Sequence, residues 1–456
     1  MRFSLVLTLL CWLPAAGLLA SDLNVGAAAV NLQADDRMVI AGSIGPKFAQ
    51  GQEGELRVTA VVIEKPGQTK LAIVSCDVLF VTREDADPAL QEIENKIGIP
   101  VDHILVSATH THHAPSTATL HGYGRHEEFC LRLRRGIVEA VALANERLKN
   151  CPADFYFHLS EEKTIGANSR RLLSDGMIYW TGPLEKESKP TGPFDPQLPI
   201  LAFREGAGPL RGLIYNHSTH TIGTRRPGVR SPSFYGLAAQ ELEAELGGTV
   251  CFLQGASGST HNLGGVSTDQ AVRILKSVLR DGLSRAQSRP VGKLQAIKQR
   301  FVFKVRTFDE AEEDRKVVDY CRKWLPQQAD AYIRVFREMR RQLKPLQAEQ
   351  RETWLQAIAI GDVAVVGVPA EYFTGLGVEL KQRSPFPHTV VAELANDWIG
   401  YLPDREAHLL GGYQTWMGLH SYAEPGTGER LARELLEMLA KLSQAAGNDQ
   451  DQSSPR

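Results

Sequence analysis

The sequence lacks an excess of either charge. Its 456 residues contain 51 Lys and Arg against 53 Asp and Glu, a formal net charge of −2. Nucleic-acid-binding proteins usually carry a basic surplus on one face, so this balance argues against a nucleic-acid partner. Hydrophobic residues make up 43% and charged residues 23% of the chain, which excludes collagen-like and disordered proteins. A soluble enzyme or a large binding domain remains.

Long hydrophobic runs are also scarce. The main apolar run lies near the start of the sequence and is itself short. Arg2 is followed by SLVLTLLCWLPAAGLLA and then by the polar segment SDLNVG. The run is shorter than the ~20 residues that span a membrane. A charged start, an apolar run and a small residue (Ala20) before a polar break are typical of a cleaved signal peptide. The sequence therefore predicts removal of residues 1–20 and a periplasmic or secreted protein.

Cysteines are too few and too scattered for a disulfide framework. Loss of Cys11 with the signal peptide would leave five cysteines, namely Cys76, Cys130, Cys151, Cys251 and Cys321. An odd, sparse set excludes a small domain held together by disulfides, although it allows one disulfide to form in an oxidising compartment.

What does recur is a short apolar run that ends in a polar cluster. Such runs end at Asp77, His110, His217, Gly255, Pro369 and Asp397. Continuous apolar runs between turn signals are typical of strands buried on both faces. Between these runs, apolar residues recur with the spacing of a helix over residues 129–149, 237–246, 268–285 and 430–442. Residues 309–350 are heavily charged and predict a pair of helices. We predict an α/β fold with a mixed or largely parallel β-sheet core and flanking helices.

The most informative polar cluster is THTHHAP, residues 109–115. Only thirteen histidines occur in the chain, so three within four positions stand out. Side chains alternate along a strand, which predicts that His110 and His112 share one face. Neutral imidazole is a good zinc ligand, so the pair indicates a metal site. A hydrogen-bonded pair of loop histidines is the alternative.

Other candidate groups follow other predicted strands. They are NHSTH at residues 216–220, GASGSTHN at residues 255–262, Glu371, and two tyrosines in the loop of residues 396–413. The small residues of GASGSTHN let the backbone approach a ligand and line an oxyanion pocket, but the lysine of a phosphate loop is missing. No H-E-x-x-H motif occurs. The H-x-H pair fits a metallo-β-lactamase poorly because Ala114 stands where an Asp is needed, and it fits an amidohydrolase barrel poorly because a strand precedes it.

Taken together, these segments resemble the catalytic domain of the neutral/alkaline (non-lysosomal) ceramidase family, from about residue 30 to residue 442. The motifs are ATHTHHAP, IYNHSTH, FLQGASGSTHN, VGVPAEYFTGLG and NDWIGYLPDREAHLLGGY. The resemblance implies a ceramidase-like catalytic domain over residues 21–443. It implies a zinc-dependent hydrolase that cleaves the N-acyl amide bond of a lipid such as ceramide. The polar composition of residues 444–456 predicts a disordered tail.

The resemblance also implies roles for single residues. The zinc ligands would be His110, His217, Glu371 and Tyr401. The catalytic candidates are His112 beside the scissile carbonyl, Tyr413 as a second tyrosine, Arg170 as an arginine that points into the site, and His261. Zinc would activate water and polarise the acyl carbonyl, and His112 would carry the proton to the leaving amine.

Several positions depart from the family pattern. His261 stands in the place of the family's serine, Ala370 in the place of a glycine, and His113-Ala114 in the place of Ser-Gly. We expect the family's C-terminal immunoglobulin-like domain to be absent, since the resemblance ends near residue 442 and only the polar residues 444–456 come after it. The sequence therefore resembles a short, divergent member whose substrate is open, whether ceramide, another N-acyl lipid, an ester or a non-lipid amide. A non-catalytic secreted binding protein is the alternative from another class. A lipid substrate would be compatible with transient contact with a membrane surface.

Overall fold

The computed structural model describes residues 23–149, 151–206, 208–263 and 265–447. The predicted signal peptide and residues 448–456 of the predicted tail lie outside these ranges. The strands of the described part are β1 (Leu23–Asn31), β2 (Arg57–Lys65), β3 (Thr69–Cys76), β4 (Ile104–Ala108), β5 (Pro152–Glu161), β6 (Ala167–Asn168), β7 (Arg171–Leu172), β8 (Lys189–Pro190), β9 (Gln197–Arg204), β10 (Leu210–His217), β11 (Thr249–Gln254), β12 (Thr260–His261), β13 (Gln287–Arg289), β14 (Leu294–Lys304), β15 (Gln350–Ile360), β16 (Val363–Val368), β17 (Glu371–Tyr372), β18 (His388–Glu393) and β19 (Tyr401–Leu402).

The predicted helices are present, with ends close to those expected from their spacing. The α-helices of the described part are α1 (Arg83–Ile97), α2 (Glu127–Glu146), α3 (Ser233–Leu246), α4 (Thr268–Arg285), α5 (Glu310–Trp324), α6 (Ala329–Leu343), α7 (Thr374–Arg383), α8 (Arg405–Leu410) and α9 (Thr427–Gly447). Helix α4 begins at a capping box in which Ser267 and Gln270 exchange hydrogen bonds, as its sequence favours. Helix α9 extends through residues 444–447 of the predicted tail.

The larger sheet is mixed, with strand order β11-β10-β9-β5-β1-β2-β3-β4 and β13 beside β5. Its inner neighbours are antiparallel, whereas the end pairs β3–β4 and β10–β11 are parallel. The sheet curls back on itself. The Ser75 hydroxyl of β3, the strand next to one end, donates a hydrogen bond to the Phe252 carbonyl of β11 at the other end, at 2.5 Å. The prediction of a mixed sheet is confirmed, and the largely parallel version of it is not observed.

A second sheet, with strand order β14-β15-β16-β18, packs against the first. Its residues Ile358 and Val365 share one fully buried core with Val61, Ile73 and Phe203 of the larger sheet. Helices α1 to α4 cover the outer face of the larger sheet, and α5, α6, α7 and α9 cover the smaller one. The predicted α/β fold with flanking helices is confirmed. The face-to-face pair of sheets has no signature in the sequence, because both contribute similar apolar runs.

The carboxyl ends of four strands from both sheets meet at one place. The Asn216 side-chain amide on β10 donates to the carbonyl of Leu253 on β11 at 2.8 Å and to that of Val391 on β18 at 2.9 Å. The Ser107 hydroxyl on β4 donates to the Glu393 carbonyl on β18 at 2.9 Å. The polar clusters that follow these strands are therefore neighbours in space, as expected at the carboxyl edge of parallel strands.

Two further features concern the cysteines and the helices. The cysteines at positions 76, 130, 151, 251 and 321 are all free. Within the described ranges, the helices are all too short or too polar to cross a membrane.

Candidate metal centre

Three histidines, two of them buried and one partly buried, converge where the strand ends meet. His110 and His112 follow β4, and His220 follows β10. Each ring places its Nδ1 against a backbone carbonyl oxygen. The distance is 3.2 Å from His110 to the Leu79 carbonyl and 3.1 Å from His112 to the Gly42 carbonyl. It is 3.1 Å from His220 to the Ser257 carbonyl. A carbonyl oxygen only accepts, so Nδ1 carries the proton in every ring and the Nε2 of a neutral ring is left as a lone pair.

These Nε2 atoms face one another. The Nε2 atoms of His110 and His112 lie 3.4 Å apart, and one ligating nitrogen from each of the three rings lies within 4.8 Å of the others. Burial lowers the pKa of His112 and of His220, and the neighbouring histidines lower both further, which keeps these two rings neutral. Converging lone pairs repel one another unless a cation lies between them. Imidazoles held in this way through Nδ1–H are the usual arrangement in protein metal sites.

Glu371 and Tyr401 complete the group from the second half of the chain. They are direct partners in the short parallel ladder of β17 and β19. Glu371 Oε1 lies 3.4 Å from His110 Nε2 and 3.6 Å from His220 Nε2, and the Tyr401 hydroxyl lies 3.1 Å from His220 Nε2. Tetrahedral zinc with ligand bonds of about 2.0–2.1 Å separates adjacent ligand atoms by about 3.3 Å. The donor set and its spacing therefore fit zinc.

The second carboxylate oxygen of Glu371 is held from outside the group. The Trp398 indole N–H donates to Oε2 at 3.1 Å, and the indole stacks on Phe80 with ring centroids 4.0 Å apart. The carboxylate is thus oriented, with Oε1 turned toward the histidines.

His217, predicted as a ligand, does not join the group. Its Nδ1 lies 2.6 Å from the Tyr235 hydroxyl and its Nε2 lies 3.2 Å from the Glu162 carbonyl. Strand β10 ends at His217, and the chain then turns, so that His220 three residues later faces Glu371 instead. His220 therefore occupies the position that the sequence interpretation assigned to His217.

The loop of residues 255–259 lies against Glu371. A Cβ on Gly258 would approach the Glu371 carbonyl oxygen to 2.4 Å, so only glycine fits there. Glu393 anchors the loop, because it accepts hydrogen bonds from the hydroxyl and the backbone N–H of Ser257 at 2.5 and 3.0 Å. Burial raises the pKa of Glu393 well above its usual value.

A cavity of about 620 Å³ opens above the group, within the usual range for small-molecule sites. Of the predicted catalytic residues, His112, His261 and Tyr413 line it, together with the predicted ligand Tyr401. His261 stacks on His220 with ring centroids 4.0 Å apart, and burial lowers its pKa well below the usual value. Tyr413 is 8% exposed, and burial together with Glu371 raises its pKa, so the phenol keeps its proton.

Arg170, predicted to point into the site, does not line this cavity. Its guanidinium donates to the Gln414 side chain at 2.9 Å and to the Gly411 carbonyl at 2.6 Å, and it is 1% exposed. Burial lowers its pKa to about 10. Its contacts fix the segment that carries Tyr413, so its position is that of a support behind the cavity.

Sequence reasoning gave no role to His121 and His220, which line the cavity. It gave none either to Glu393 and Trp398, which form hydrogen bonds with Ser257 and Glu371. The motif NHSTH contains a second histidine, and that was the available signal for His220. Trp398 lies in the motif NDWIGYLPDREAHLLGGY, whereas His121 and Glu393 have no distinctive spacing. Only the folded chain shows what these three side chains contact.

The fold is similar to that of known protein structures, although the sequence comparisons found no match. No protein-family model and no curated protein matches the sequence. The structure is similar to that of neutral ceramidase from Pseudomonas aeruginosa, with 17% identity and a TM-score of 0.73 over 93% of this chain and 75% of that chain. A structure described as ceramidase complexed with C2 is similar at 18% identity and a TM-score of 0.72, over 93% and 76% of the two chains. The resemblance to the ceramidase family is confirmed at the level of the fold.

Proposed function

We propose that this chain, which has the fold of the neutral ceramidases, is a zinc-dependent hydrolase of N-acyl amides. The observation that carries the proposal is the convergence of His110, His220, Glu371 and Tyr401 at the floor of the cavity. Buried histidines with their Nδ1 atoms tied to carbonyls, beside a buried carboxylate, form a costly arrangement that a bound cation would stabilise.

The zinc would be held by the two histidine Nε2 atoms, Glu371 Oε1 and the Tyr401 oxygen. Two histidines, one carboxylate and a tyrosine would fill a tetrahedral set, so a solvent or substrate oxygen would bind as a fifth ligand, an expansion that catalytic zinc sites permit. Bound zinc would supply a polarising charge for the acyl carbonyl and make water more acidic. The proposal replaces His217 by His220 and keeps the other three ligands implied by the resemblance.

Around that centre, the chain's own residues would move protons and stabilise charge. The His112 ring donates Nδ1–H to the Gly42 carbonyl, so its Nε2 is free to accept a proton from the attacking water. His112 would then deliver this proton to the amide nitrogen as the C–N bond breaks. The Tyr413 hydroxyl would donate to the carbonyl oxygen as negative charge develops on it.

The walls of the cavity suit a substrate with an apolar part. Apolar side chains line it toward solvent, among them Ile44, Phe48, Trp180, Val229 and Leu263. Phe48 is 60% exposed at this rim. An acyl chain or another apolar substituent would cover this surface on binding. A lipid amide is therefore the preferred substrate class, with ceramide as one candidate.

A hydrolase of esters or of non-lipid amides on the same metal is the second candidate. The observation that favours it is His261, which replaces the family's serine and stacks on His220, and so changes the shape of the floor of the cavity. A secreted binding protein with a degenerate site remains the alternative from another class. The export proposal depends on residues 1–20 and is tested by sequencing the N-terminus of the protein recovered from the periplasm or medium.

The first test is metal content followed by a substrate panel. We expect about one zinc per folded chain and turnover of an N-acyl sphingoid lipid or an N-acyl amino acid that stops when zinc is chelated. Turnover of aryl esters alone would favour the second candidate. A folded chain without tightly bound metal would overturn the hydrolase proposal and leave the binding protein.

Trp398 provides a test of the metal site that needs no substrate. We expect Trp398→Phe to weaken zinc binding by about 10- to 100-fold, because residues that orient a ligand typically contribute this much. Competition with a chromogenic chelator measures the affinity. Trp354→Phe is the matched control, since its indole N–H donates to Asp87 at 3.2 Å, outside the metal group. Equal zinc affinities in the two variants would contradict the proposed role of the Trp398–Glu371 hydrogen bond.

A further inference from the structure

The ring of Tyr413 has a stacking partner on each face. Trp180 stacks on it with centroids 4.5 Å apart and an interplanar angle of 5°, and His420 stacks on it at 4.7 Å and 18°. Two stacking partners hold the plane of the phenol. The direction of the O–H bond is then the remaining freedom of this side chain, and that direction decides where its single proton goes.

His121 contacts the same hydroxyl from outside the metal group. Its Nε2 lies 3.1 Å from the Tyr413 oxygen, and the residue is 4% exposed. Its φ is +50°, a backbone conformation that residues other than glycine adopt rarely. The backbone is also fixed, because the Gly45 N–H donates to the His121 carbonyl at 2.9 Å. The imidazole is therefore held beside the phenol by both its backbone and its burial.

Proton counting shows what this contact requires. A phenol has one proton, so Tyr413 either donates it to His121 or keeps it for the substrate and accepts a hydrogen bond from His121. Only the second case leaves the Tyr413 proton free for the carbonyl oxygen. It requires that the neutral His121 ring carry its proton on Nε2.

The surroundings of the other ring nitrogen favour that tautomer. Within the described ranges, His121 Nδ1 is buried and has no hydrogen-bond partner. If Nδ1 carried the proton, the ring would bury a donor without an acceptor, which proteins avoid more strictly than an unused lone pair. The adjacent His420 places its Nε2 3.1 Å from the Tyr413 carbonyl oxygen, so the His420 proton lies on Nε2 as well.

We infer that His121 is a positioning residue that donates its Nε2–H to the Tyr413 oxygen and so directs the Tyr413 proton toward the substrate carbonyl. The catalytic part of this inference rests on the proposed hydrolase function, whereas the tautomer does not. Two experiments separate the two parts.

The tautomer is measured in the parent protein without any substrate. Nitrogen-15 labelling of histidine, with His121→Gln used to assign the signal, reports which ring nitrogen carries the proton. We expect Nε2–H. A proton on Nδ1 would overturn the inference even if the protein proves to be an active hydrolase. If the substrate panel fails, this measurement still decides the tautomer of His121.

The effect on turnover is measured in the zinc-loaded protein with the best substrate of the panel. We expect His121→Phe to lower kcat by about 10- to 100-fold, the typical effect of a residue behind a catalytic group, with KM and zinc content unchanged. His121→Gln, whose amide N–H occupies a similar position, should recover most of the loss. Thermal melting of both variants checks that they fold.

A double-mutant cycle distinguishes positioning of Tyr413 from a structural effect. In the Tyr413→Phe background, His121→Phe should cause no further loss of kcat, because the group it directs is already absent. Losses that multiply in the double variant would show that His121 acts independently of Tyr413 and would overturn the inference.

Discussion

His220→Ala is expected to lose the bound zinc, whereas His217→Ala is expected to keep it. His220 Nε2 lies 3.6 Å from Glu371 Oε1 and 3.1 Å from the Tyr401 hydroxyl, so removing the ring deletes one donor of the proposed set. Residues that only orient ligands typically contribute about 10- to 100-fold to metal affinity, so loss of a ligand should exceed ~100-fold. The His217 ring faces the Tyr235 hydroxyl and the Glu162 carbonyl instead.

Metal analysis after dialysis against a weak chelator measures this difference. His217→Ala should lower the melting temperature, because an unpaired buried polar group costs about 1–3 kcal/mol. His217→Gln, which keeps a donor at the position of Nε2, serves as the milder control if His217→Ala folds poorly. Zinc loss from a folded His217 variant together with zinc retention in His220→Ala would restore His217 as the ligand and contradict the proposed site.

His112→Ala is expected to lower turnover by about 10²- to 10⁴-fold while zinc stays bound, the usual effect of removing a general acid–base group. His112 lines the cavity, whereas His110 is fully buried beneath it. The hydrogen bond to the Gly42 carbonyl at 3.1 Å leaves Nε2 as the free proton acceptor. His112 combines contact with the cavity, a position outside the proposed ligand set and an Nε2 atom 3.4 Å from that of the proposed ligand His110.

The measurement is kcat together with zinc content in the same preparation. His113→Ala is the matched control, because this neighbouring ring accepts the Gly223 N–H at 2.9 Å and lies outside the metal group. It should change kcat far less than His112→Ala does. Full activity in His112→Ala would remove the proton-transfer role, and loss of zinc from that variant would identify His112 as a ligand.

The fold was largely predictable because its strands and helices differ in local pattern. The apolar runs that end at Asp77, His110 and His217 are strands, and helix α4 has the predicted ends. The pairing of the strands was harder to predict from the sequence. Most neighbours in the larger sheet are antiparallel, and the second sheet covers its inner face, which makes the strands apolar on both sides. Burial by a second sheet and burial by helices leave the same apolar pattern in a sequence.

The candidate site was predictable to the same extent, and for a related reason. Polar side chains after buried strands mark the edge where the strand ends meet, and the resemblance to the ceramidases implied His110, Glu371 and Tyr401 as ligands there. Past the end of a strand, the alternation of side chains no longer holds. The turn after β10 points His217 to Tyr235 and brings His220 to Glu371, and neither orientation is encoded by spacing.

The sequence alone determined which segments form strands and helices, where polar groups end them, and which residue types are available for a metal site. These properties depend on the chemistry and periodicity of neighbouring residues. Only the tertiary structure decided which of two histidines in NHSTH faces the carboxylate, that Trp398 orients Glu371, and that Arg170 supports a loop. Such choices depend on contacts between residues far apart in the chain, whose geometry exists only after the two sheets have packed.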